Sequence, residues 1–120
     1  MKLSVIAATG LAALAMPVSA SGIVHLNCSL MGSNGGSAVQ LDISLNEAAG
    51  TASYLVRQTG ATVTERAQFT PTQVKIGDAD MMKIIDRTNL NITDGTAALG
   101  PYRVFRSGKC EMAPVVERKF

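Results

Sequence analysis

The stretch AVQLDISLN, residues 38–46, sets Val39, Leu41, Ile43 and Leu45 at every second position, with Gln40, Asp42, Ser44 and Asn46 between them. A repeat of two belongs to a β-strand, whose successive side chains point to opposite faces; a helix repeats about every 3.6 residues. One face of this segment is therefore apolar and the other wet, as in an antiparallel sheet that covers a core on one side.

The same alternation appears upstream at Val24, Leu26, Cys28 and Leu30. Between the two runs, MGSNGGS (31–37) is rich in Gly and Ser and reads as a flexible loop. Downstream, 51–58 and 61–69 flank Thr59-Gly60, a short Gly-containing connection of the kind that closes a hairpin. Pro71 interrupts pairing, and Thr72, Val74 and Ile76 resume it before a turn at Gly77-Asp78-Ala79-Asp80. MMKIIDR (81–87) and LNIT (90–93) follow, and Asp94-Gly95 is a dipeptide favoured in two-residue hairpin turns. YRVFR (102–106) comes after Pro101, and Ser107-Gly108 reads as a turn or bulge before Cys110.

These runs amount to about eight short strands, with no helix signal after residue 20. The expected fold is all-β, a small antiparallel up-and-down β-barrel or a β-sandwich. The core is poor in aromatics: Tyr54, Phe69, Tyr102, Phe105 and Phe120 make up the whole set.

The first twenty residues, MKLSVIAATGLAALAMPVSA, place Lys2 before an Ala- and Leu-rich run, then Pro17 and the small-residue ending Val18-Ser19-Ala20. This is the pattern of a secretory signal peptide cleaved after Ala20. The run falls short of the roughly 20 residues of a membrane span, and Gly10 and Pro17 interrupt it. The short n-region and Ala-rich body have a bacterial look. The reading is thus a signal peptide at 1–20, a single all-β domain at 21–120, and a periplasmic or secreted destination.

Export decides how the two cysteines are read. In an oxidising compartment an even count in a small domain means a disulfide, and Cys28 with Cys110 is the one intrachain pairing open to two cysteines. Such a bond ties the first strand to the last, which suits a closed meander, because closure makes those strands neighbours and removes sheet edges. A catalytic thiol would need a base; His25 is the sole histidine and has opposite strand parity to Cys28.

The pattern of signal peptide, meander and Phe120 resembles that of outer-membrane barrels. Their strands need about 9–11 residues and aromatic girdles, whereas this chain has no Trp and two Tyr. Counting back by twos from Phe120 meets Arg118, Val116 and Pro114, a charge and a strand breaker on the face that lipid would cover. No stable membrane insertion is expected, and Phe120 is expected to plug an apolar gap at one end of the domain or to fray. Small exported inhibitors of lysozyme are similar to this chain in size, signal peptide, disulfide and β-richness. Their Ser-Gly-x-Arg-Tyr type of motif is absent, since Ser107-Gly108-Lys109 and Tyr102-Arg103 stand in the reverse order. The resemblance therefore assigns no functional residue.

With Lys2 removed, ten Lys and Arg stand against nine Asp and Glu, so the basic field of a nucleic-acid binder is missing. A local excess lies after Gly100, where Arg103, Arg106, Lys109, Arg118 and Lys119 outnumber Glu111 and Glu117. Asp78, Asp80 and Asp86 could face a cation, and Asn89, Asn91 and Asp94 form a second such patch; Asx residues in turns more often bond their own backbone. Met81 and Met82 alternate faces and cannot both ligate one soft metal. No nucleophile elbow, P-loop or zinc spacing is present, and no enzyme activity, catalytic residue, metal or cofactor is expected. The expected function is a protein-binding module of inhibitor or immunity type, its partner another protein; the alternative is carriage of a small apolar ligand in the barrel interior.

Overall fold

Eight strands close on themselves in chain order: β1 (Ile23–Gly32), β2 (Gly35–Asn46), β3 (Thr51–Val56), β4 (Ala61–Phe69), β5 (Gln73–Gly77), β6 (Met82–Asp86), β7 (Asn91–Thr96) and β8 (Arg103–Met112). The computed structural model describes residues 22–113. The signal peptide and the part played by Phe120 lie outside the described residues. Each strand pairs antiparallel with the next, and β8 returns to β1 over Leu26↔Met112 to Gly32↔Arg106. Of the two architectures expected, the chain adopts the up-and-down barrel, and no helix occurs among the described residues.

Alternation decides what faces inward. Leu26, Cys28 and Leu30 on β1, Leu41, Ile43 and Leu45 on β2, Val74 and Ile76 on β5, Ile85 on β6 and Ile92 on β7 are all buried. Burying each large aliphatic side chain contributes roughly 1.5–3 kcal/mol before the entropy of ordering is set against it. Gln40, Asp42, Ser44 and Asn46 line the opposite, outer face of β2, as their parity requires. The middle of the barrel is thus plugged by aliphatic side chains, and any opening must lie at an end.

The two ends differ in what they carry. At one, here the terminal end, β1 begins and β8 finishes, joined by the turns at 47–50, 70–72 and 87–90. At the other, the hairpin end, lie the turns at 33–34, 57–60, 78–81 and 97–102.

Three local expectations fail. Ser107-Gly108 is neither turn nor bulge but lies inside β8, paired in unbroken register with Met31 and Leu30 of β1. MGSNGGS does not form a loop: β1 pairs with β2 as far as Leu30↔Val39, shifts register across Met31 and closes at Gly32↔Gly35, leaving a two-residue turn at Ser33-Asn34. Backbone pairing needs no apolar side chain, and the Ser33 amide further donates to the Phe105 carbonyl at 3.0 Å, fixing the hairpin to β8. Nor is Asp94-Gly95 a turn. It lies inside β7 at a register shift against β8, and the true connection spans 97–102. A Cβ on residue 95 would collide with the Arg103 carbonyl, so glycine is there for the close approach of β8.

Candidate functional site

The seam between β1 and β8 holds the disulfide. Cys28 and Cys110 face each other in register with Cα atoms 4.0 Å apart, both buried, and the bond closes a separation of 82 residues. No free cysteine remains among the described residues. His25 lies on the outside of β1, exposed, with Nδ1 2.9 Å from the Ser44 hydroxyl. A structural disulfide of this kind is compatible with an oxidising compartment.

The Asx residues considered as cation ligands are separated by the fold. Asp78 turns back on its own chain at the hairpin end, Oδ1 accepting the amides of Asp80 at 3.0 Å and Met81 at 3.3 Å. Asp86 sits at the terminal end, where Oδ1 accepts the Thr88 amide, the Thr88 hydroxyl and the Asn89 amide. The Thr88 hydroxyl bond is foremost in holding the Asp86 carboxyl below its ordinary range. Asn89 accepts the Asn91 amide at 2.8 Å in the same turn, and Met81 is exposed. Among the described residues no three His, Cys, Asp or Glu gather as a metal site.

Asp94 behaves differently from its Asx neighbours. Among the described residues it is the buried charged one, 6% exposed, pointing inward near the hairpin end. Lys83 stands directly across from it on β6, Nζ 3.6 Å from Oδ1, and Arg106 on β8 brings Nη1 to 3.4 Å from Oδ2. The Lys83 ammonium also lies 4.5 Å from the centre of the Tyr54 ring and 3.4 Å from its hydroxyl. That hydroxyl donates to Glu65 Oε2 at 2.6 Å. A chain of contacts therefore runs from Arg106 through Asp94 and Lys83 to Tyr54 and Glu65, and the formal charges of its two cations and two carboxylates cancel. Burial first, and then the bond to Glu65, push the Tyr54 phenol well above its ordinary value. This cluster escaped the sequence reading. Lys83 and Ile85 share a face of β6, but only the register showed that this face is the inner one.

The terminal end is an apolar cup of about 890 Å³. Leu26, Leu45, Val74 and Ile85 form its floor, and Phe69, Leu90 and Met112 belong to its wall. Arg87 and Glu47 are the charged residues of its lining. Arg87 donates from Nη1 to the Thr70 carbonyl at 2.7 Å and from Nη2 to Glu47 Oε1 at 3.4 Å, with its guanidinium 6.0 Å from the centre of the Phe69 ring. Leu90 holds a left-handed backbone, φ 63°, which is uncommon for a residue with a branched side chain.

A third feature lies on the outside of the seam. Met31 and Phe105 have parity opposite to Cys28 and Cys110, and both are about half exposed, as is the neighbouring Val104. Met31 is directly opposite Ser107, which puts Phe105 one outward position further along β8. Arg103, Arg106 and Lys109 stand on the same strand.

Neither the protein-family models nor the curated proteins nor the solved structures contain a match to this chain. What the site defines is a class: a small disulfide-bonded antiparallel β-barrel.

Proposed function

We propose that this protein is an exported, non-catalytic binding module that acts in the periplasm or outside the cell by docking another protein, in the manner of an inhibitor or immunity protein. The observation that carries this reading is the outer side of the β1–β8 seam, where exposed Met31, Val104 and Phe105 share a strand pair with exposed Arg103 and Lys109. Apolar and aromatic anchors rimmed by cations suit a partner with an acidic surface, and aromatic and arginine residues are the side chains enriched at such contacts. The patch rides on the disulfide-tied pair of strands, so it is held rigid and little entropy is lost on docking. The polar outer positions of β2, with Gln40, Asp42, Ser44 and Asn46, support a barrel that keeps its outer wall in water rather than lipid.

The test is affinity capture from the exported fraction of the host, using the native chain and the variants Phe105→Ser and Arg103→Glu side by side. A stoichiometric protein retained by the native chain and lost with both variants is the expected result. Recovery of no such protein, or equal recovery with both variants, counts against the reading.

A further inference from the structure

Independently of any protein partner, we infer that the cup at the terminal end is a binding site for a single-chain amphiphile, an apolar tail inside the barrel mouth and an anionic head at Arg87. The walls are aliphatic and aromatic, and the volume of about 890 Å³ falls in the range of roughly 300–1,000 Å³ typical of small-molecule sites. An eight-stranded barrel is wide enough to hold one small ligand. Here the aliphatic plug of Leu30, Ile43, Ile76 and Ile92 closes the middle, so the site is a blind cup rather than a channel. A blind apolar cup takes a tail and leaves the head at the rim.

The rim carries the second observation. Arg87 is already oriented: one amino group is fixed on the Thr70 carbonyl and the face lies toward Phe69. Its other amino group meets Glu47 at 3.4 Å, a long contact to a side chain that is 58% exposed, and such surface pairs hold weakly. A ligand carboxylate can displace Glu47 and take the guanidinium fork, which suits planar oxyanions. The apolar rim is unusually open as well: Ile23, Val24 and Met112 are 42%, 40% and 59% exposed around this mouth. Leu90 adds a further sign. Its strained φ is held by its amide on the Asp86 carbonyl and its own carbonyl receiving the Cys110 amide, and the turn thereby supplies an aliphatic residue to the cup.

Calorimetric titration of the full chain, purified after export, tests this with dodecanoate and dodecanol as probes. Saturable one-to-one binding is expected for both, with dodecanoate about tenfold tighter, as one charge-assisted hydrogen-bonded pair allows. Arg87→Gln should erase that preference, the acid losing about tenfold more affinity than the alcohol. Ala48→Trp, an exposed turn position lining the cup, should weaken both probes at least about tenfold by filling the space. Absence of saturable binding to the native chain, unaltered binding by Ala48→Trp, or a preference for dodecanoate that survives Arg87→Gln would overturn the proposal. Circular dichroism of each variant confirms the fold before titration.

Discussion

Lys83 and Asp94 form a cross-strand ion pair inside the barrel, Nζ 3.6 Å from Oδ1, with side chains 11% and 8% exposed. Oδ1 has no hydrogen-bond donor, so the pair is held by charge rather than by a directed bond. Arg106 on the other oxygen and Tyr54 over the ammonium supply the compensation that burying two charges demands.

Removing one member should therefore cost more than removing both. Lys83→Met leaves the Asp94 carboxylate with Arg106 alone and is expected to destabilise the barrel by about 3 kcal/mol, toward the lower end for a broken buried pair. The double variant Lys83→Met with Asp94→Leu should regain most of that loss. Urea unfolding of the four proteins of this cycle measures the difference, and equal midpoints for the single and double variants would contradict it.

The two tyrosines offer a pH readout. Burial is the foremost cause raising both phenols, Tyr54 further through Glu65, so neither should ionise in the folded protein near pH 10, where the unfolded chain does. A group whose folded value is raised contributes stability that is complete below its unfolded value and is lost as pH climbs past it. Tyrosinate absorbance should consequently appear late and together with loss of the barrel, while unfolding free energy starts to fall above about pH 10. A tyrosinate signal equivalent to about one residue at pH 10 in folded protein, the half-ionisation of two unshifted phenols, would refute this.

Replacing Cys28 and Cys110 together by Ala should lower stability by roughly 4 kcal/mol, the chain-entropy value for a closed loop of this length. Binding by any variant that still folds should be retained, since neither sulfur faces the cup or the outer patch. Chemical denaturation under oxidising conditions tests the first statement and the probe titration the second.

Gly108 stands where β8 passes between β7 and β1, opposite both Ile92 and Leu30. A Cβ there would run into the Ser29 carbonyl, a backbone atom that cannot swing aside. Gly108→Ala should thus open the seam at a cost of about 1–3 kcal/mol, and Ser107→Ala on the exposed side of the same strand less than about 0.5. Thermal denaturation of the two variants gives the comparison directly.

The alternation of Val39, Leu41, Ile43 and Leu45 and its repetition at Leu26, Cys28 and Leu30 were enough for the class of fold and the near count of strands. Period two is a local property, and solvent sorts the two faces of every strand in the same way. Cys28 and Cys110 were legible as a pair for another reason, namely that two cysteines permit one bond. Local chemistry misled where it was ambiguous: Asp94-Gly95 has the composition of a turn, yet Gly95 was needed for the approach of the Arg103 carbonyl. Closure into a barrel instead of two packed sheets depended on β8 finding β1, a contact between segments some eighty residues apart. The functional geometry came from the same closure. Register alone set Lys83 across from Asp94 and turned both inward, because a shift of one residue would have sent each to the opposite face. The cup likewise joins Leu45, Phe69, Ile85 and Met112 from four different strands, and no one-dimensional pattern links them; only the packing of a closed sheet, plugged at its middle and open at its end, brings them around one space.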